Sequence, residues 1–235
     1  MSVKTRIRRD ATALRRDLGL SALLGLYYSV GVVGHLVPPM LPLMAAVTPA
    51  VLAIMGLIVA AVAVAEGGWP VALWAAGTYA VSFSLEAVGV ATGAIFGPYR
   101  YGNVLGPMVL DVPLVIGFNW MLTVLGGMVI ARELGIGRGV GGRTEADGPC
   151  PICIAVATGV ACVLFDFALE PVAVRLGYWT WYTQGVPIQN YVAWFAISTL
   201  SALAFPAKRG RMSSRLPAAS FLLQLLFFGI QAMAG

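Results

Sequence analysis

Four carboxylates, Glu86, Asp111, Asp166 and Glu170, lie in the outer halves of segments that otherwise read as apolar membrane helices. A charged side chain at bilayer depth costs roughly 2.5–3.5 kcal/mol on insertion scales, so acids placed there usually mark a proton pathway or a reaction centre. Asp166 and Glu170 are four residues apart and share one helix face. Two acids on a low-dielectric face cannot both ionise cheaply, so one of them is expected to be held neutral. A neutral carboxylic acid is a proton donor in waiting. Three of the acids also have a structural alternative. Glu170 can pair with Arg175, Glu86 can hydrogen-bond a neighbouring helix, and Asp111, at the start of an apolar run, can cap a helix or face its dipole.

Asn119 and Asn190 add amides able to orient a water or a carboxylate. Tyr99, Tyr101, Trp120, Trp179, Trp181, Tyr191 and Trp194 add ring faces whose quadrupoles can stabilise a carbocation. Each ring can equally anchor a helix at the membrane interface. His35, near the end of the first apolar run, can join such a pocket or simply pack.

The elements that position these groups follow from composition. With 59% hydrophobic and 11% charged residues and a mean hydropathy of +0.86, the chain falls far below the roughly one-quarter charged content of soluble domains. It reads as an all-α, multi-pass membrane protein. Apolar runs able to cross a core of roughly 30 Å occur at 19–37, 48–65, 71–90, 108–131, 152–173, 188–204 and 216–234, which predicts seven transmembrane helices. Residues 1–18 form a basic tail ahead of a membrane domain at 19–235. The first run is too long for a signal peptide and lacks a small-x-small cleavage site before Pro38, so it reads as an uncleaved helix.

Basic residues orient the bundle. Lys4, Arg6, Arg8, Arg9, Arg15 and Arg16 lie in the tail, Arg132, Arg138 and Arg143 between the fourth and fifth runs, and Lys208, Arg209, Arg211 and Arg215 between the sixth and seventh. Only Arg100 and Arg175 fall on the other side. The positive-inside rule then puts the N-terminus in the cytoplasm and the acids toward the extracytoplasmic half of the cell membrane. The net charge of +5 reflects this topology and calls for no nucleic-acid partner.

Cys150 and Cys153 form a C-x-x-C at the cytoplasmic start of the fifth run, where a reducing compartment argues against a structural disulfide. Two further metal ligands are missing there, since His35 lies at the opposite face and Cys162 is mid-helix. No P-loop and no G-x-S-x-G is present, and no metal or cofactor is expected. Neither Lys4 nor Lys208 falls in a span, which excludes a retinal Schiff base.

The acids and aromatics recur in order. At a shift of eighty residues Glu86 falls on Asp166, Gly97 on Gly177, Tyr99 on Trp179 and Tyr101 on Trp181. Beyond a shorter second loop, Val112-Pro113 falls on Val186-Pro187 and Trp120 on Trp194. The series reads as a parallel repeat of a two-helix unit, at about 71–131 and 151–204, whose copies converge on one polar pocket roofed by two aromatic loops. Gly89, Gly93 and Gly97 give the first copy a small-residue ridge suited to close helix packing.

The string Glu86-x-x-Gly89-x-x-x-Gly93-x-x-Phe96-Gly97-Pro98-Tyr99-Arg100-Tyr101 is followed by Val112-Pro113 and Asn119-Trp120. After it come Asp166-x-x-x-Glu170-Pro171, Gly177-Tyr178-Trp179-x-Trp181, Gly185-Val186-Pro187-x-x-Asn190 and Trp194-Phe195. Together these motifs resemble the integral-membrane carotenoid biosynthesis family that includes the 1',2'-hydratases of γ-carotene and bisanhydrobacterioruberin. The resemblance covers about 82–195. It implies a carotenoid substrate, water as co-substrate and no redox cofactor. Hydrating a terminal isoprenoid double bond requires protonation at C2', a tertiary cation at C1' and capture by water. Asp166 is the expected acid and Glu86 its partner or the base, in roles they can exchange, with Asp111, Asn119 and Asn190 positioning water. A carotenoid cyclase would share the protonation step. Outside that chemistry, the acids could form a proton relay in a small-solute transporter, or the aromatics could serve a carotenoid-binding subunit.

Overall fold

In a computed structural model, residues 3–140, 148–206 and 213–234 are described, with side chains from residue 14 onward. Arg143, Lys208, Arg209 and Arg211, four of the residues used to orient the bundle, lie outside the described residues. The described residues contain seven α-helices: α1 (Val3–Leu36), α2 (Leu41–Gly67), α3 (Trp69–Thr92), α4 (Val115–Glu133), α5 (Pro151–Arg175), α6 (Ile188–Leu203) and α7 (Leu216–Ala234). Six of them, all but α6, are long and apolar enough to cross a membrane. α6 has 16 residues, about 24 Å of helix, and stops short of that length. α1 starts at Val3, so the expected tail from residue 3 onward is continuous with the first apolar helix.

Local chemistry sets the breaks. Pro38 opens a short 3-10 turn (Pro38–Met40) between α1 and α2. Gly68, at φ +69°, makes the turn from α2 into α3. α3 ends on Gly93 in the left-handed conformation, with its N–H bonded to the Gly89 carbonyl at 2.7 Å. Cys150 caps α5: its sulfur accepts from the Cys153 backbone N–H at 3.4 Å.

The fourth helix begins later than the apolar run predicts. Residues 108–113 form a two-residue hairpin of β2 (Met108–Val109) against β3 (Val112–Pro113), preceded by β1 (Tyr99–Tyr101). Its two central residues, Leu110 and Asp111, have φ of 52° and 60°, the positive pair that a type I′ turn requires. Pro113 cannot donate to a helical ladder. Hydropathy is blind to both features, so it extended the helix through an apolar hairpin.

α4 is the hub, packing against α2, α3, α5, α6 and α7. Most of its residues are buried and none from Val115 to Ala131 is charged. Glycines let its neighbours come close. A Cβ on Gly117 would lie 2.6 Å from the Tyr79 ring, and one on Gly127 would lie 3.1 Å from the Thr158 methyl.

The ends of α3 and α5 and the starts of α4 and α6 meet at one end of the bundle. There β1 pairs antiparallel with β4 (Trp179–Trp181), setting Tyr99 opposite Trp181, Arg100 opposite Thr180 and Tyr101 opposite Trp179. Gly102 N–H to Tyr178 O (2.8 Å) and Tyr182 N–H to Pro98 O (3.0 Å) extend the ladder at both ends. At the other end Arg16 bridges Asp17 (2.7 Å) and Glu66 (2.6 Å). Glu66 accepts the backbone N–H groups of Ser213 and Ser214, and Asp17 that of Arg215, next to the start of α7.

The hub arrangement predicts an intolerant contact between α4 and α7. A Cβ on Gly126 would lie 2.6 Å from Phe221 Cβ and 2.8 Å from the Pro217 carbonyl oxygen, overpacking that costs about 1–3 kcal/mol. Gly126→Ala is therefore expected to lower the thermal midpoint of the purified protein. Gly77→Ala, whose Cβ would meet nothing within 4 Å, should keep or slightly raise it, as alanine for glycine inside a helix does. Equal midpoints for the two variants would refute the close approach.

Candidate functional site

Three of the four acids meet beneath the paired strands. Glu86 on α3 and Asp166 and Glu170 on α5 are 4%, 1% and 3% exposed. Charges so deeply buried need hydrogen-bond partners to be tolerated. Glu86 Oε2 accepts from the hydroxyls of Tyr99 and Tyr101 (the latter at 2.8 Å), and Oε1 accepts from Trp120 Nε1 at 2.8 Å. Glu170 Oε2 accepts from the indoles of Trp179 (3.1 Å) and Trp181 (2.9 Å). Asn190 on α6 gives its amide to Asp166 Oδ2 at 2.6 Å and, more distantly, to Glu170 Oε1 at 3.5 Å. Asp166 Oδ1 is buried with no hydrogen-bond partner.

The aromatic residues therefore act first as hydrogen-bond donors to the acids. Burial, and then the nearby Glu86 carboxyl, push the Tyr99 and Tyr101 phenols well up. Both remain protonated donors at neutral pH. Trp120 and Trp194 stack at 3.9 Å between centroids and 21° between planes, joining α4 to α6 beside the acids.

These groups line a cavity of about 30 Å³, room for one or two waters. Asn119 and Asn190 supply amides to it, and Phe96, Ile116 and Leu169 supply apolar wall. Those three apolar residues carried no chemical signal in the sequence. Leu169, three positions after Asp166, and Ile116, four before Trp120, were recoverable as same-face neighbours.

Two expected site residues lie elsewhere. Asp111 is exposed in the β2–β3 turn and does not start α4, so it neither caps that helix nor reaches the cavity. Tyr191 is half-buried beside Phe167, 6.1 Å between ring centroids, outside the cavity lining. Arg175 does not pair with Glu170. It donates to the Gln231 carbonyl at 2.7 Å and to Gln231 Oε1 at 3.3 Å. His35 bonds its own helix at the Gly31 carbonyl and faces a different cavity. Among the described residues no group of three or more His, Cys, Asp or Glu is arranged to hold a metal ion.

The acid that meets the second aromatic pair is also not the one the eighty-residue shift selects. Asp166 is the sequence counterpart of Glu86, yet Glu170 takes the contacts to Trp179 and Trp181. α5 runs almost a turn further past Asp166 than α3 runs past Glu86, so the carboxyl level with the strand is the one four residues later.

Residues 46–234 match the family model described as "Carotenoid biosynthesis protein". The chain is also similar to the bisanhydrobacterioruberin hydratase of Haloarcula japonica, at 32% identity over 128 residues. That stretch is 53% of this chain and 41% of the relative, so the chain spans less than half of the relative's length. No solved structure matches.

The dependence of the indoles on Glu170 can be tested directly. Glu170→Leu strands the N–H groups of Trp179 and Trp181, at about 1–3 kcal/mol for each orphaned donor. Its thermal unfolding, followed by tryptophan fluorescence, should fall well below that of Glu170→Gln, which keeps an acceptor oxygen. Equal losses would mean that the indoles do not rely on this carboxyl.

Proposed function

The chain belongs to the carotenoid biosynthesis protein family, and on that premise we propose that it hydrates a terminal 1',2' double bond of an acyclic carotenoid end. The observation that carries this reading is the free, buried Oδ1 of Asp166 beside a water-sized cavity. Every other carboxyl oxygen of the cluster accepts at least one hydrogen bond. A proton on Asp166 Oδ1 is thus the one that can be handed to a substrate.

The steps balance without a redox partner. Asp166 transfers its proton to C2', and the π electrons of the alkene form the new C–H bond, leaving a tertiary cation at C1'. The faces of Trp120 and Trp194 and the rings of the roof stabilise that cation. A water held by Asn119 and Asn190 adds its oxygen lone pair to C1'. The proton it releases passes to Glu170 Oε1, whose single partner is the long contact to Asn190, and then returns to Asp166 one helical turn away. Glu86, engaged by three donors, is the fixed acceptor that orients the roof. Asp111 has no role in this scheme.

The cavity accommodates water as it stands, so the alkene end enters as side chains part. Tyr101, Asn119 and Trp181 are the half-buried members of the lining and form the entry. On this reading the N-terminus is cytoplasmic, the six long helices and the shorter α6 with its flanking residues cross the cell membrane, and the acids lie toward its extracytoplasmic side, which the distribution of basic residues supports. The two facing arrangements, Glu86 with Tyr99 and Tyr101 and Glu170 with Trp179 and Trp181, support a duplicated two-helix unit.

The test is expression in cells making lycopene, γ-carotene or bisanhydrobacterioruberin, in ordinary and heavy water, with pigments analysed by mass spectrometry. The expected product is heavier by one water per reacted end and, from heavy water, keeps one non-exchangeable deuterium at C2'. Asp166→Asn should lower the yield by about 100-fold or more, the scale of general acid catalysis, while the folded protein still accumulates in the membrane. An isomer of unchanged mass would assign the chain to cyclases. Unchanged pigment with every substrate would favour transport or pigment binding.

A further inference from the structure

A second and much larger cavity, about 380 Å³, lies between α1, α2 and α7 on the far side of the Tyr178–Trp179 segment from the acids. Its volume falls in the range of about 300–1,000 Å³ typical of small-molecule sites. The walls are apolar, from Val51, Leu52, Met44, Phe227 and Phe228. Tyr27, Val30 and Val47, at its rim, are exposed, so the mouth opens between α1 and α2 on the surface that faces lipid.

The polar groups of this cavity are few and unevenly served. Thr48 bonds the Met44 carbonyl and His35 the Gly31 carbonyl, each within its own helix. The hydroxyl of Tyr28 and Nε2 of Gln224 are buried and have no hydrogen-bond partner. They lie side by side, yet no bond of ordinary distance and angle closes between them. Gln224 is only 2% exposed. A buried amide that donates to nothing is costly, and sites retain such a group when something else supplies the acceptor. No Lys, Arg, Asp or Glu lines the cavity, so a carboxylate or phosphate head would find no lysine or arginine to pair with.

We propose that this cavity is a second binding site, for a neutral, chain-like membrane compound ending in a hydroxyl or carbonyl oxygen that accepts hydrogen bonds from Gln224 and Tyr28. The chain enters between α1 and α2 and its oxygen reaches the α7 side. Tyr178 lines this site while the next residue, Trp179, lines the acid cavity, so an occupant touches the segment that holds Glu170. The assignment stands apart from the hydratase reading, since no residue of that reaction lines the site.

The test uses the full chain in lipid nanodiscs, free of pigment, titrated with geranylgeraniol, hexadecanol and the hydrocarbon analogue of geranylgeraniol that lacks the hydroxyl. Thermal shift and tryptophan fluorescence are the readouts. Both alcohols should bind, with the branched and straight chains showing which source is preferred, and the hydrocarbon should bind more weakly. Gln224→Leu should keep or raise the thermal midpoint of the unliganded protein, because an orphaned polar group is replaced by an apolar one of similar size. It should weaken alcohol binding about tenfold, the scale of one lost hydrogen bond to a buried donor, and leave hydrocarbon binding unchanged. Val51→Trp should block all three by filling the space. Equal binding of alcohol and hydrocarbon, insensitive to Gln224→Leu, would overturn the proposal in favour of nonspecific lipid filling, and so would absence of binding. Asp166→Asn should bind all probes normally, which separates failure here from failure of the hydratase reading.

Discussion

Three carboxyls buried in an apolar bundle are shut off from bulk water, so the protein must bring hydrogen-bond donors to them. Helices cannot provide those donors from their backbones, because interior N–H groups are already committed to the ladder. The donors come instead from side chains, most of them on two loops, Tyr99 and Tyr101 on one and Trp179 and Trp181 on the other. For the loops to aim four side chains inward at a fixed depth, their backbones must be fixed in turn. The antiparallel pairing of β1 with β4 does this. Alternation along each strand sends both aromatics to the acid side and leaves Arg100 and Thr180 exposed.

This chain of dependence explains the compact hub as well. The acids arise on α3 and α5, and α4 packs between these two helices. α4 contributes Trp120 to Glu86 and stacks the same ring on Trp194 of α6. A bulky helix in that position would push the acids out of range of one another. The glycines at 117, 126 and 127 keep the hub narrow where Tyr79, Phe221 and Thr158 press against it.

Much of this was legible in the sequence, and the limits follow from what sequence signals measure. Apolar runs located every long helix, because burial in lipid demands them. They failed at 108–114, where an apolar hairpin satisfies the same hydropathy and only Pro113 and the left-handed pair Leu110–Asp111 betray the turn. Asp111 was misplaced for the same reason. The internal shift found the acids and aromatics that converge but paired Asp166 with Glu86, since a linear offset does not register that α5 continues almost a turn longer. The large cavity near α7 was invisible: Tyr28 and Gln224 are distant in sequence, and each alone reads as an ordinary polar residue in a helix.

The difference between the three acids is the feature that chemistry can use. Two carboxyls with matching environments would share a proton indifferently, and neither would be poised to give it up in one direction. Here Glu86 is engaged at both oxygens and Glu170 doubly at one, whereas Asp166 keeps one oxygen without a donor. Each donor aimed at an oxygen takes up one of its lone pairs and so competes with a proton there. Asp166 Oδ1 is the position in the cluster where no such opposition exists. That asymmetry goes with the extra length of α5, which lifts Glu170 to the aromatic strand and leaves Asp166 one turn below it, in the lining of the small cavity.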